Sequence, residues 1–101
     1  MNTNTKEMNN IFNEIKTERE YQDKRFGADR DLHPFVWNTI LTEEVGEVAK
    51  ECLDFVKEDN VTDDLAISRM REELIQVAAV AVAWIECLDK YYIKDDKTIL
   101  S

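Results

Sequence analysis

Two glutamates in this chain stand where helices usually keep apolar side chains. With Glu44 at zero on a helical wheel, Trp37, Ile40, Val48 and Phe55 fall within about 40° of it, and Leu41 at about 60°. Glu47 lies about 60° to one side and Glu51 close to Glu44's line, while Lys50, Lys57 and Gly46 occupy the far side. With Glu73 at zero, Ala66, Val77, Val80 and Trp84 lie within about 40°, and Met70 and Leu88 near 60°. Gln76 takes the flanking place that Glu47 takes beside Glu44. Residues 43–49 read Glu-Glu-Val-Gly-Glu-Val-Ala and residues 72–78 read Glu-Glu-Leu-Ile-Gln-Val-Ala, so the two segments echo each other.

An ionised carboxylate in a core stripe costs several kcal/mol unless it is paired or binds a metal. Two of them, on two helices, call for a shared explanation. Residues three apart share a helix face, so facing helices can offer Glu44, Glu47, Glu73 and Gln76 to one metal cluster. Ligands that are all oxygen suit Mg²⁺, with Mn²⁺ as the alternative ion. The absence of His from these motifs argues against a di-iron site, and the absence of a Cys/His cluster argues against zinc. Two other readings compete. Charge runs often form solvated faces, which suits Glu43, Glu51 and Glu72. Alternatively, Glu44 and Glu73 form ion pairs with Arg19, Arg69 or Arg71.

The elements that carry these residues are bounded by few breakers. The 101 residues hold only two Gly and one Pro, with 44% hydrophobic and 35% charged side chains. So few turn formers argue against a β-sandwich or barrel, and so many apolar residues against a wholly disordered chain. Gly27 ends a first segment, residues 29–33 are a polar loop, and Pro34 suits a first helical position. Residues 57–64 are polar, with Thr62 a candidate cap. The reading is one domain, 1–101, with helices over about 5–25, 34–57 and 63–91 and a charged tail at 93–101. In the first helix Met8, Ile11, Phe12 and Ile15 form an apolar stripe that continues through Arg19, Gln22 and Phe26, so its inner face turns polar halfway.

Charge and composition exclude several classes of function. Thirteen basic residues against 22 acidic leave a net charge of −9, which disfavours binding to a nucleic acid polymer. A polyphosphate would also be repelled unless a cation bridged it to the protein. The longest apolar run, residues 77–85, is about half of what a membrane span requires. Two Cys make no disulfide framework, and Cys52 and Cys87 read as buried free thiols. The expectation is a soluble, reduced, cytoplasmic protein with no membrane partner.

Together with their surroundings, Glu44-Val45-Gly46-Glu47 and Glu73-Leu74-Ile75-Gln76 resemble the paired motifs of the MazG-like all-α nucleoside triphosphate pyrophosphohydrolases. The resemblance runs from about Glu18 to Leu88. It includes Glu18-Arg19-Glu20-Tyr21-Gln22, Phe26-Gly27, His33-Pro34 and Trp37. It implies hydrolysis of a nucleoside or deoxynucleoside triphosphate to monophosphate and pyrophosphate, a role in cleaning the nucleotide pool. Glu44, Glu47 and Glu73 would be ligands of Mg²⁺, with Glu47 or Glu43 orienting the attacking water. Gln76 stands where that family usually carries Asp; its amide oxygen can touch Mg²⁺ but neutralises no charge and cannot act as a base. The resemblance also implies an all-α fold, a three-helix protomer forming a dimeric four-helix-bundle core.

Four more residues have substrate-binding readings. A His near position 33 lies in the nucleotide site of part of that family, which gives His33 a base or phosphate contact; the alternative is a cap for the helix begun by Pro34. Trp37 and Phe55 could stack on a base or serve as core. Arg19 could meet a phosphate or pair with an acid. From Leu74 to Ile85 the third helix is apolar on nearly every side, and three helices cannot easily enclose one of their own. A homodimer or homotetramer is expected. Two alternatives to the enzyme follow from Gln76 and from the arginines: a nucleotide- or metal-binding module without turnover, and a purely structural helical dimer.

Overall fold

The computed structural model describes residues 3–57 and 63–93; the expected cap at Thr62 and the tail beyond residue 93 lie outside them. The described chain is all helical, with no strand: α1 spans Thr3–Phe26, α2 spans Pro34–Lys57 and α3 spans Asp63–Cys87. The third helix does not stay α-helical to residue 91. It widens at Leu88–Tyr92 into a single π-turn, α4, closed by the Ile93 N–H donating to the Leu88 carbonyl at 2.7 Å.

The boundaries have local causes. α1 ends with Lys24 and Arg25 in its last turn, which complement the negative end of the helix dipole. Gly27 follows with φ +97°, and its N–H donates to the Asp23 carbonyl at 2.9 Å. A side chain at that φ would be strained, so glycine makes the turn out of the helix. α2 opens on Pro34, with the His33 carbonyl accepting from the Val36 and Trp37 N–H groups. The His33 ring adds a side-chain cap, its Nδ1 accepting from the Phe35 N–H at 3.1 Å.

α3 is the central element. It packs along α2 and against α1, whereas the α1 and α2 backbones do not approach each other. Small residues permit this: Ala66, Ala79 and Ala83 of α3 are fully buried. The main apolar cluster lies where the start of α2 meets the end of α3, with Trp37, Val80, Ala83 and Cys87 buried and Leu32, Ile40, Leu41, Trp84 and Tyr91 packed around them. The loop between α1 and α2 is tied to the π-turn. Asp29, at φ +57°, pairs with Lys90 at 3.0 Å, and its carbonyl accepts from the Tyr91 hydroxyl at 3.3 Å.

Two expectations fail on burial. Cys52 is exposed and only Cys87 is buried. The apolar stripe of α1 is uncovered in the protomer: Met8, Ile11 and Phe12 are all exposed, since α1 has only α3 beside it.

Candidate functional site

Glu44 and Glu73 are half-buried on facing helices. Burial raises both carboxyls above their ordinary value, and neighbouring carboxylates raise them further. The charges acting on Glu44 are those of Glu73, Glu47, Glu18 and Glu43. Those acting on Glu73 are Glu47, Glu51, Glu72 and Glu18. Glu44 and Glu73 are thus half-buried on α2 and α3, and Glu47, itself exposed, acts on both.

The arginines do not compensate them. Arg19 is held by Asp23 at 2.8 Å and by Glu86 of α3, and Arg71 by Glu14 at 2.8 Å. Glu73 Oε2 and Glu51 Oε1 are sealed from solvent with no hydrogen-bond partner. Such orphaned acceptor atoms are rare in folded proteins. They fit a hard cation, which takes carboxylate oxygens and brings water donors with it. As the side chains stand, no three His, Cys, Asp or Glu groups among the described residues are gathered closely enough to hold an ion.

Two cavities flank this acidic seam. One, of about 290 Å³, is lined by Gln22 and Phe26 of α1, Arg30 of the loop, and Glu43, Glu44 and Val80. It fills the gap that α1 and α2 leave by packing only on α3. The other, of about 370 Å³, lies between α1 and α3 and includes Glu18, Glu72 and Gln76 in its walls. Gln76 thus sits on the α1 side of the seam.

The four predicted substrate contacts are not gathered in one place. Arg19 and Trp37 both line a third cavity, of about 210 Å³, at the end of the bundle near the π-turn. There Trp37 is 1% exposed, a core residue, and the Arg30 guanidinium lies over its ring at 5.1 Å. Arg19 makes ion pairs. His33 is exposed and caps α2, its ring edge-on to Phe35 at 4.8 Å. Phe55 is exposed near the end of α2.

Sequence reasoning passed over Glu18, Gln22, Glu51 and Arg30 as site residues. Gln22 carried a signal, since it continued the apolar stripe of α1 as a polar residue; it is buried, and its Oε1 has no partner. Glu18 shares that face one turn earlier. Arg30 carried none, because a loop has no periodicity. Compared with protein-family models, curated proteins and solved structures, the chain shows no match.

Proposed function

We propose that the protein is a Mg²⁺-dependent nucleoside triphosphate pyrophosphohydrolase of the MazG-like type. The observation that carries this reading is the seam of uncompensated, half-buried carboxylates, Glu44 and Glu73, on facing helices. Of the three arginines a purely structural pairing could use, Arg19, Arg69 and Arg71, the first and last are engaged elsewhere, and no arginine is among the charges acting on Glu44 or Glu73. Glu44, Glu47 and Glu73, with the amide oxygen of Gln76, would hold the cation. When bound, Mg²⁺ supplies charge neutralisation for the phosphates and acidifies a water. Phosphoryl chemistry depends mostly on positioning and charge, so the helices' main task is to fix these oxygens. Glu43 lines the α1–α2 cavity beside Glu44, where it can orient the attacking water. Water attacks either the α-phosphorus, with pyrophosphate leaving, or the β-phosphorus, with the nucleoside monophosphate leaving.

The protomer assembles into a homodimer or homotetramer with a four-helix-bundle core. Leu74, Val82 and Ile85 of α3 are exposed in the single chain, which supports a partner helix against that face. The test of function is pyrophosphate release from a panel of ribo- and deoxynucleoside triphosphates with Mg²⁺, read with and without inorganic pyrophosphatase. Signal that requires both the pyrophosphatase and Glu44, and is lost in Glu44→Ala, is the expected result. Silence from the folded protein, with nucleotide still raising its melting temperature, would make it the binding module that neutral Gln76 favours.

A further inference from the structure

We propose that the cavity at the π-turn end of the bundle binds a small oxyanion, a phosphate or carboxylate group, on the Arg30 guanidinium. The cavity has a volume of about 210 Å³. Sites for whole small molecules run to roughly 300–1,000 Å³, so this one suits an anion of a few atoms and not a nucleotide. Its described wall carries the cations Arg19, Arg30 and Lys90 and the carboxylates Asp23, Asp29 and Glu86. All of these carboxylates are already engaged. Asp23 accepts from Arg19 on both oxygens, at 2.8 and 3.4 Å, Glu86 accepts from the Nε of Arg19 at 3.1 Å, and Asp29 pairs with Lys90 at 3.0 Å. Arg30 is the cation left over: no described residue accepts a hydrogen bond from it or forms an ion pair with it.

What holds Arg30 is aromatic. Its guanidinium lies over the Phe26 ring at 5.5 Å and over the Trp37 ring at 5.1 Å. Rings attract the charge but leave its five N–H donors without oxygen partners. The side chain is half-buried; burial and then the Arg19 charge lower its pKa, and Asp23 offsets them only in part. That is the mark of a cation without its counter-ion. Trp37, on the same wall, is 1% exposed, and its indole N–H has no acceptor either. The loop is fixed beforehand, since the neighbouring Asp29 is tied to Lys90 and to the Tyr91 hydroxyl, so little freedom is lost when an anion arrives. A guanidinium fork meets two oxygens at once, which favours an oxyanion over a halide. Arg30 also lines the cavity of Glu44, but there the carboxylates of Glu43 and Glu44 repel an anion. The anion therefore sits on the π-turn side of Arg30.

The test is an NMR titration of the full-length, metal-free, isotope-labelled protein with inorganic phosphate and, separately, with acetate, at an ionic strength held constant with sodium chloride. The Arg30 Nε–H signal and the amides of Ala83, Cys87 and Tyr91 should shift and saturate. Binding of either probe through Arg30 supports the proposal, and the tighter of the two names the group. Arg30→Gln should weaken binding by about tenfold or more, and Arg30→Lys, which keeps the charge and loses the fork, by less. Arg25→Gln, exposed beside the same Phe26 ring, should stay within about twofold of wild type. If Arg30→Gln loses its fold, the shift map of the wild type still decides. No saturable shift with either probe, wild-type affinity in Arg30→Gln, or shifts confined to the amides of Ile40, Glu43 and Glu44 overturns the proposal. The titration contains no metal, so its outcome is independent of the metal-dependent reading above.

Discussion

At the scale of single residues, the acidic seam makes stability depend on pH in an unusual direction. Glu44 and Glu73 have folded-state carboxyls raised above the ordinary 4.5, mainly by burial and then by neighbouring carboxylates, Glu73 first for Glu44 and Glu47 first for Glu73. A raised carboxyl favours the folded state when protonated and loses that contribution as pH rises through its folded value. The metal-free protein should therefore melt at higher temperature as pH falls from neutrality towards 4.5. Below that, protonation of Glu14, whose carboxyl Arg71 holds low, reverses the trend. Scanning calorimetry across pH checks this. The double variant Glu44→Gln with Glu73→Gln should flatten the rise, and so should saturating Mg²⁺. A melting temperature that falls steadily from pH 7 would show that the seam is not under electrostatic stress.

At the scale of elements, the helices were legible because their interruptions are so few. Gly27 and Pro34 fix the first break, and the polar run at 57–64 fixes the second. The two glycines then make opposite predictions. Gly27 has φ +97°, so Gly27→Ala should destabilise by about 1–2 kcal/mol. Gly46 sits in the middle of α2 with open space where a methyl group would project, so Gly46→Ala should stabilise the protomer by about 0.5–1 kcal/mol. Urea unfolding of both variants measures the pair. The candidate site was legible only by halves. Glu44 and Glu73 emerged because each breaks an apolar stripe on its own helix, and Glu47 because it flanks Glu44 one turn on. Gln22 showed only as a polar residue continuing the α1 stripe, because a wheel treats one helix at a time and cannot say that α1 packs on α3 and not on α2. His33 and Phe55 were proposed from residue type, and residue type does not distinguish a helix cap or an exposed ring from a ligand contact.

At the scale of the whole molecule, the protomer exposes more than its mass requires. Its accessible surface is 7590 Å², against about 5,900 Å² for a compact chain of this mass. Its radius of gyration is 16.4 Å, against about 13 Å. Ile85, 56% exposed on α3, lies on the face proposed to meet a partner helix. Ile85→Asp should convert the oligomer to monomer in analytical ultracentrifugation; in a protein that is already monomeric it would change stability by no more than about 0.5 kcal/mol. The π-turn that ends α3 has a consequence for how the chain tolerates changes in length. A π-turn holds one residue more than an α-turn. Deleting one residue within 88–92 would restore regular winding and swing everything beyond it by about 100°. Lys90 and Tyr91 would leave Asp29, and the loop carrying Arg30 between two cavities would lose its moorings. Homologues one residue shorter at this point should therefore carry a different loop sequence at 27–33, the two changes travelling together.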